Sequence, residues 1–173
     1  ADGRIQMLMR HRKADDDTKM LETWSSDKGL TWTPLAETSL PNNHSGLDGV
    51  TLKDGRFLIA YNHSTRMQPG MGHKGRGILN VAVSKDGVNW EAALVLEHLD
   101  KPWRQFSYPA VIQTKDGLVH IAYTWHRHRI KYVVLDPDKL VTFPIVNGKW
   151  PTDKVPIAPV TAVSTAELIE AGL

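Results

Sequence analysis

Two short patterns recur along this chain at nearly one period, and that periodicity constrains its fold more than any single residue does. The first is an Asp-Gly pair followed by an apolar run. DGRIQMLMR begins at Asp2, DGRFLIAYN at Asp54 and DGLVHIAYT at Asp116, at spacings of 52 and 62 residues. The second is SSDKGLTW, from Ser25 to Trp32, echoed by SKDGVNW from Ser84 to Trp90 with one residue fewer between Asp and Trp. Asp27 and Asp86 are 59 residues apart, so both patterns share about one period. Units of this length built from short strands and turns are the sequence signature of propeller blades.

The local chemistry of each copy is that of a turn. An Asp side chain accepts hydrogen bonds from the backbone of its own turn, Gly supplies a positive φ, and a Trp can pack beneath the loop. Duplication also argues against a catalytic role for Asp27 or Asp86. Residues 50–64 read as a hairpin through Asp54-Gly55, and residues 77–96 as a second hairpin through Asp86-Gly87. Together they predict a four-stranded meander. The connection STRMQPGMGHKGR between the hairpins is Gly-rich, polar and long, as functional surface loops are. A third unit runs from Phe106 to Leu140, with Asp136-Pro137-Asp138 in place of the full turn motif.

Residues 1–141 are thus expected to form a partial β-propeller, and residues 142–173 a Pro-rich tail. The tail ends in STAELIEAGL, whose Ser/Thr cap signal predicts a short helix. Two to three blades are present, whereas ring closure takes roughly four to eight. The expectation is a piece of a longer protein, or a chain that self-associates through open propeller edges.

Composition excludes several alternatives. The formal charge of +2 on 173 residues lacks the clustered basic excess of a nucleic-acid footprint. No apolar run reaches the length of a membrane-spanning helix. With no cysteine, disulfides and thiolate metal sites are ruled out. Neither HExxH nor paired-Cys spacing organises the eight His, and HRHR at 126–129 reads as a solvated basic edge rather than a metal site. No metal or cofactor is expected.

The complete S-x-D-x-G-x-T-W match at Ser25–Trp32 is an Asp box, and over about residues 1–140 the chain resembles the sialidase (neuraminidase) superfamily. The resemblance is to the C-terminal portion of its all-β, six-bladed, BNR-repeat propeller, with about two to three blades present. Sialidases clamp a substrate carboxylate with three arginines. By resemblance, Arg10 after the first Asp-Gly run takes one of these positions, and Arg76 ahead of GILNVAVSKDG takes another. The family's Tyr nucleophile lies eight residues before an Asp-Gly turn, where Tyr108 stands ahead of Asp116. The remaining arginine, the acid/base Asp and the Glu that activates the Tyr would lie upstream of residue 1. The implied activity is hydrolysis of a terminal acidic sugar, in a secreted or periplasmic setting.

The residue chemistry is consistent with these assignments. Guanidinium offers a planar, permanently charged fork to a carboxylate. A neutral phenol avoids the repulsion that a carboxylate nucleophile would meet at an anionic substrate. Taken alone, Arg10 can equally be a solvated strand-end charge with Arg12 as competitor, Arg76 part of a mobile basic loop, and Tyr108 an aromatic packed on Pro109. In LPNNHSGLDG, His44 and Asp48 read either as binding or acid/base groups for a sugar, or as an Asx-turn with an exposed His. His63 can face the same opening, and Trp103 can stack on a sugar or lie between blades. The His near that opening (His44, His63, His73) also fit a uronic-acid lyase, and a non-catalytic glycan-binding propeller is the remaining alternative.

Overall fold

The computed structural model describes residues 3–12, 17–66, 68–101 and 105–158. Among the described residues, eleven strands form three antiparallel sheets. The first holds β1 (Ile5–Met9), β2 (Lys19–Ser25) and β3 (Ala36–Pro41) in chain order. The second holds β4 (Asp48–Thr51), β5 (Phe57–Tyr61), β6 (Ile78–Ser84), β7 (Trp90–His98) and β11 (Phe143–Pro144), again in sequence order up to β7. The third holds β8 (Phe106–Gln113), β9 (Val119–Trp125) and β10 (Arg129–Leu135). These are three blades of an all-β propeller, and the second contains the expected four-stranded meander.

Alternation along β5 and β6 explains why the middle blade reads as nearly continuous apolar sequence. Successive side chains point to opposite faces, and both faces of this sheet are covered. Leu58, Ala60, Leu79, Val81 and Val83 pack with Val111, Val119, Ile121 and Tyr123 of the third blade. Ile59, Tyr61 and Ala82 pack with Met20 and Leu40 of the first. Every residue of β6 is buried.

The repeated turns are built as their residues predict. In the first, the Ser25 hydroxyl donates to Asp27 Oδ1 at 2.8 Å, which also accepts from the Thr31 N–H at 2.8 Å. The bonds from Thr31, with one from Ser25, hold the Asp27 carboxyl at about 2. In the second, Asp86 Oδ1 accepts from the N–H groups of Val88 and Asn89 at 2.8 and 2.7 Å. Burial pushes that carboxyl up, but these bonds outweigh it and leave it at about 2. The two Trp differ. Trp90 opens β7 and is buried, while Trp32 folds over its own loop with Nε1 donating to the Gly29 carbonyl at 3.0 Å. Gly87 also meets the first blade, for its carbonyl accepts from Gln6 Nε2 at 2.8 Å.

Beyond Leu140 the described chain returns to the middle blade. β11 pairs with β7 at Ala92 and Glu91, and Ile157 bridges Val95. The helix expected over 164–173 lies outside the described residues, as does Trp103.

Candidate active site

Antiparallel strands reverse direction at each turn, so successive connections emerge at alternate ends of the sheets. The β2–β3, β4–β5, β6–β7 and β8–β9 connections carry the Asp turns at one end. Those between β1 and β2, β3 and β4, β5 and β6, β7 and β8, and β9 and β10 meet at the other. An open cleft of about 710 Å³ lies there. Arg10 and Arg12 reach it from the first of these connections, Asn43 and His44 from the second, and Arg66, His73, Lys74 and Arg76 from the third. Gln105 and Tyr108 enter from the approach to β8 and from β8 itself, and Arg127 from the β9–β10 turn. Among the described residues, no Asp or Glu lines the cleft.

Buried amides hold these loops together. Asn42 Oδ1 accepts from the N–H groups of His44 (2.9 Å) and His11 (3.3 Å), tying the loop after β3 to the chain leaving β1. Asn43 Nδ2 donates to the Gly75 carbonyl at 2.6 Å, which also accepts from the Ser64 hydroxyl at 2.5 Å. Gly75 has φ +69°, and a Cβ there would lie 2.2 Å from the Thr65 carbonyl oxygen, so the close approach requires glycine. The next residue, Arg76, is fixed by its carbonyl accepting from the Phe106 N–H at 2.8 Å.

Arg76 sits at the floor of the cleft, half-buried. Its Nη1 donates to Gln105 Oε1 and its Nη2 to the His44 carbonyl, both at 3.4 Å. Its Nε is buried without a hydrogen-bond partner. Burial lowers the guanidinium pKa, Tyr108 opposes that, and Arg127, Arg10 and Arg66 add to it. Burial likewise lowers the pKa of His44, helped by Arg10, Arg12, Arg66 and Arg76, so the imidazole is neutral at neutral pH. Apart from the Tyr108 phenol, every titratable partner of Arg76 and His44 named here is a cation. Guanidinium groups gathered without a carboxylate partner are chemically able to donate to an anion.

Tyr108 stands at the rim, 58% exposed. The β8–β9 register shifts between Ser107 and Ala110, and this bulge turns the Tyr108 side chain out of the sheet. Its φ of +53° is costly for a non-glycine residue. His44 (+69°), Lys74 (+52°) and Arg127 (+58°) share the left-handed region, so backbone strain gathers around the cleft. Gly46 packs beneath the ring, its absent Cβ falling 3.3 Å from Tyr108 Cδ1.

Residues 1–121 match the BNR repeat-like domain family. The chain belongs to that family. The match covers the first blade, β4 to β7 of the second, all of β8 and the first three residues of β9, and so carries Arg10, Arg76 and Tyr108. No curated protein matches this BNR repeat-like chain. Among solved structures it is similar to an α-L-arabinofuranosidase from Clostridium thermocellum, with 13% identity and a TM-score of 0.49. That alignment covers 83% of this chain and 51% of the arabinofuranosidase, so the chain spans about half the length of that structure.

Four of the five site residues singled out from sequence meet in this cleft of the BNR repeat-like chain: Arg10, His44, Arg76 and Tyr108. Arg12 lines it too. Asp48 does not. It lies in β4, where Oδ2 accepts from the Val111 N–H at 2.8 Å and ties the middle blade to the third across the β8 bulge. His63 is also absent from the opening. It follows Tyr61 on the face turned to the first blade, buried between the Tyr61 hydroxyl and the Gly148 carbonyl. The sequence reading missed Asn43, Arg66, Lys74, Gln105 and Arg127. For Arg127 a signal existed, since it belongs to the HRHR string.

Proposed function

We propose that the cleft binds the carboxylate of a terminal acidic sugar and that the protein is carbohydrate-active, hydrolysing the glycosidic bond in the manner of an exo-sialidase. The observation that carries this reading is the convergence of Arg10 and Arg76, without a carboxylate partner among the described residues, beside the exposed Tyr108. Two guanidinium groups form bidentate, charge-assisted bonds to one carboxylate. That fixes the sugar ring with its anomeric carbon at the Tyr108 hydroxyl. The phenol oxygen attacks that carbon while its proton passes to a carboxylate base, and the leaving oxygen takes a proton from an acid. Water then releases the sugar from Tyr108. Both carboxylates are assigned to chain outside the described residues. His44, neutral and beside Arg76, hydrogen-bonds sugar hydroxyls. By family resemblance, export is the setting in which such a glycan is met.

The test is turnover of a fluorogenic sialoside by the full-length protein that carries both carboxylates, with and without Tyr108→Phe. The expected result is turnover that the variant abolishes, with sialoside binding retained because the arginines remain. No turnover and no binding overturns the reading.

One observation favours a second reading. A neutral His44 in the same cleft as Tyr108 is the acid/base pair that a uronate lyase needs, with Arg76 neutralising the carboxylate that acidifies the adjacent C–H. An unsaturated product absorbing in the ultraviolet distinguishes it. Glycan binding indifferent to Tyr108→Phe, with no product of either kind, identifies a binding propeller.

A further inference from the structure

The cleft carries more positive charge than one carboxylate uses. Arg10, Arg12, Arg66, Lys74, Arg76 and Arg127 all line it, in a chain whose 21 basic and 19 acidic residues nearly balance. Among the described residues, no ion pair engages any of these six. A single carboxylate is satisfied by two or three guanidinium groups. Leaving the others unneutralised in one concavity costs mutual repulsion and is relieved by further negative charge on the ligand.

Arg127 is the residue that stands out. The turn from Trp125 to His128 closes with the His128 N–H donating to the Trp125 carbonyl at 3.1 Å. Both central residues, His126 and Arg127, have positive φ, 54° and 58°. Such a turn favours Asn or Gly at these positions, yet here it holds His and Arg. His126 is used structurally: it is buried, with its ring centroid 3.8 Å from that of Trp125 and 4.8 Å from that of Phe106, and its backbone N–H donates to the Gln105 carbonyl at 2.8 Å. Arg127 is exposed, and its side chain lines the cleft on the side of Arg76 and Gln105. A strained, unpaired arginine at the tip of a hairpin gains nothing for the fold, which points to a ligand.

We infer that the cleft takes a glycan bearing two anionic groups, the first held by Arg10 and Arg76 and the second by Arg127. This rests on the proposed reading of the cleft as an acidic-sugar site and extends it from a single charge to two. The discriminating variant is Arg127→Gly, because glycine is the residue this backbone prefers.

The probes are N-acetylneuraminic acid with its α2,8-linked dimer, and galacturonic acid with its α1,4-linked dimer. Binding is measured calorimetrically on the full chain at two salt concentrations. The native chain is expected to bind one dimer about tenfold more tightly than its monomer, with the steeper salt dependence of a second charge contact. Arg127→Gly is expected to leave the melting temperature unchanged or higher, and to cost the dimer about tenfold more affinity than the monomer. Monomer binding with no gain for either dimer, or an equal loss for both in the variant, overturns the two-anion inference and leaves the acidic-sugar reading intact. Binding of neither monomer nor dimer overturns both.

Discussion

His63 allows a stability prediction to be worked from the structure. Its Nε2 lies 2.9 Å from the Gly148 carbonyl, which can only accept, so Nε2 carries the proton. Nδ1 is therefore the acceptor for the Tyr61 hydroxyl at 2.5 Å. Protonating Nδ1 would set an N–H against that hydroxyl inside the packed contact between the first two blades. Burial pulls the pKa down from 6.5 to about 4, only partly offset by the Gly148 bond. A folded-state pKa below the unfolded one means that the unfolded chain takes up the proton first. Stability is then complete above pH 6.5 and declines as pH falls toward 4. The gap corresponds to about 3 kcal/mol in all, of which about 2 kcal/mol is lost between pH 7 and pH 5. Urea unfolding at pH 7, 6 and 5, on the native chain and on His63→Gln, measures it. The glutamine variant lacks the titration, and the other histidines cancel in the difference. Equal losses in the two proteins would refute the argument.

Two further perturbations separate scaffold from site. Gly75→Ala places a Cβ against the Thr65 carbonyl at a positive φ, so thermal unfolding is expected to show a loss of at least about 2 kcal/mol, with weakened ligand binding as Arg76 shifts. Asp48→Ala removes the acceptor of the Val111 N–H and is expected to cost about 1–3 kcal/mol by urea titration. Because Asp48 lies outside the cleft, its loss leaves acidic-sugar affinity unchanged, and a selective loss of affinity would return it to the site.

The parts of this protein legible in its sequence are those governed by near neighbours. An Asp that caps its own turn makes its hydrogen bonds within four residues, so Asp27 and Asp86 could be read as turns before any fold was considered. The apolar run in GRFLIAYNHS marks β5, and the two-residue repeat of strand geometry, carried two residues further, places His63 on the face of Ile59 and Tyr61, turned to the first blade. The sequence reading stopped at the strand end and left the opening as a place His63 could face. Asp48 was misplaced for a related reason: the polar loop ends before it, and the first strand residue turns its side chain toward the neighbouring blade. Arg127 was dismissed as a solvated edge because nothing local distinguishes a hairpin tip that faces water from one that leans over a cleft.

Repetition in the sequence alone determined that the chain folds as blades and where their turns lie, and resemblance pointed to Arg10, Arg76 and Tyr108. Only the tertiary structure decided that five connections, from Arg10 to Arg127 along the chain, share one end of the sheets. That grouping follows from antiparallel reversal and from two layers of apolar packing between blades, both long-range. The charge of the cleft follows in turn. A nearly neutral sequence folds so that its basic loops meet at one end and its Asp turns at the other.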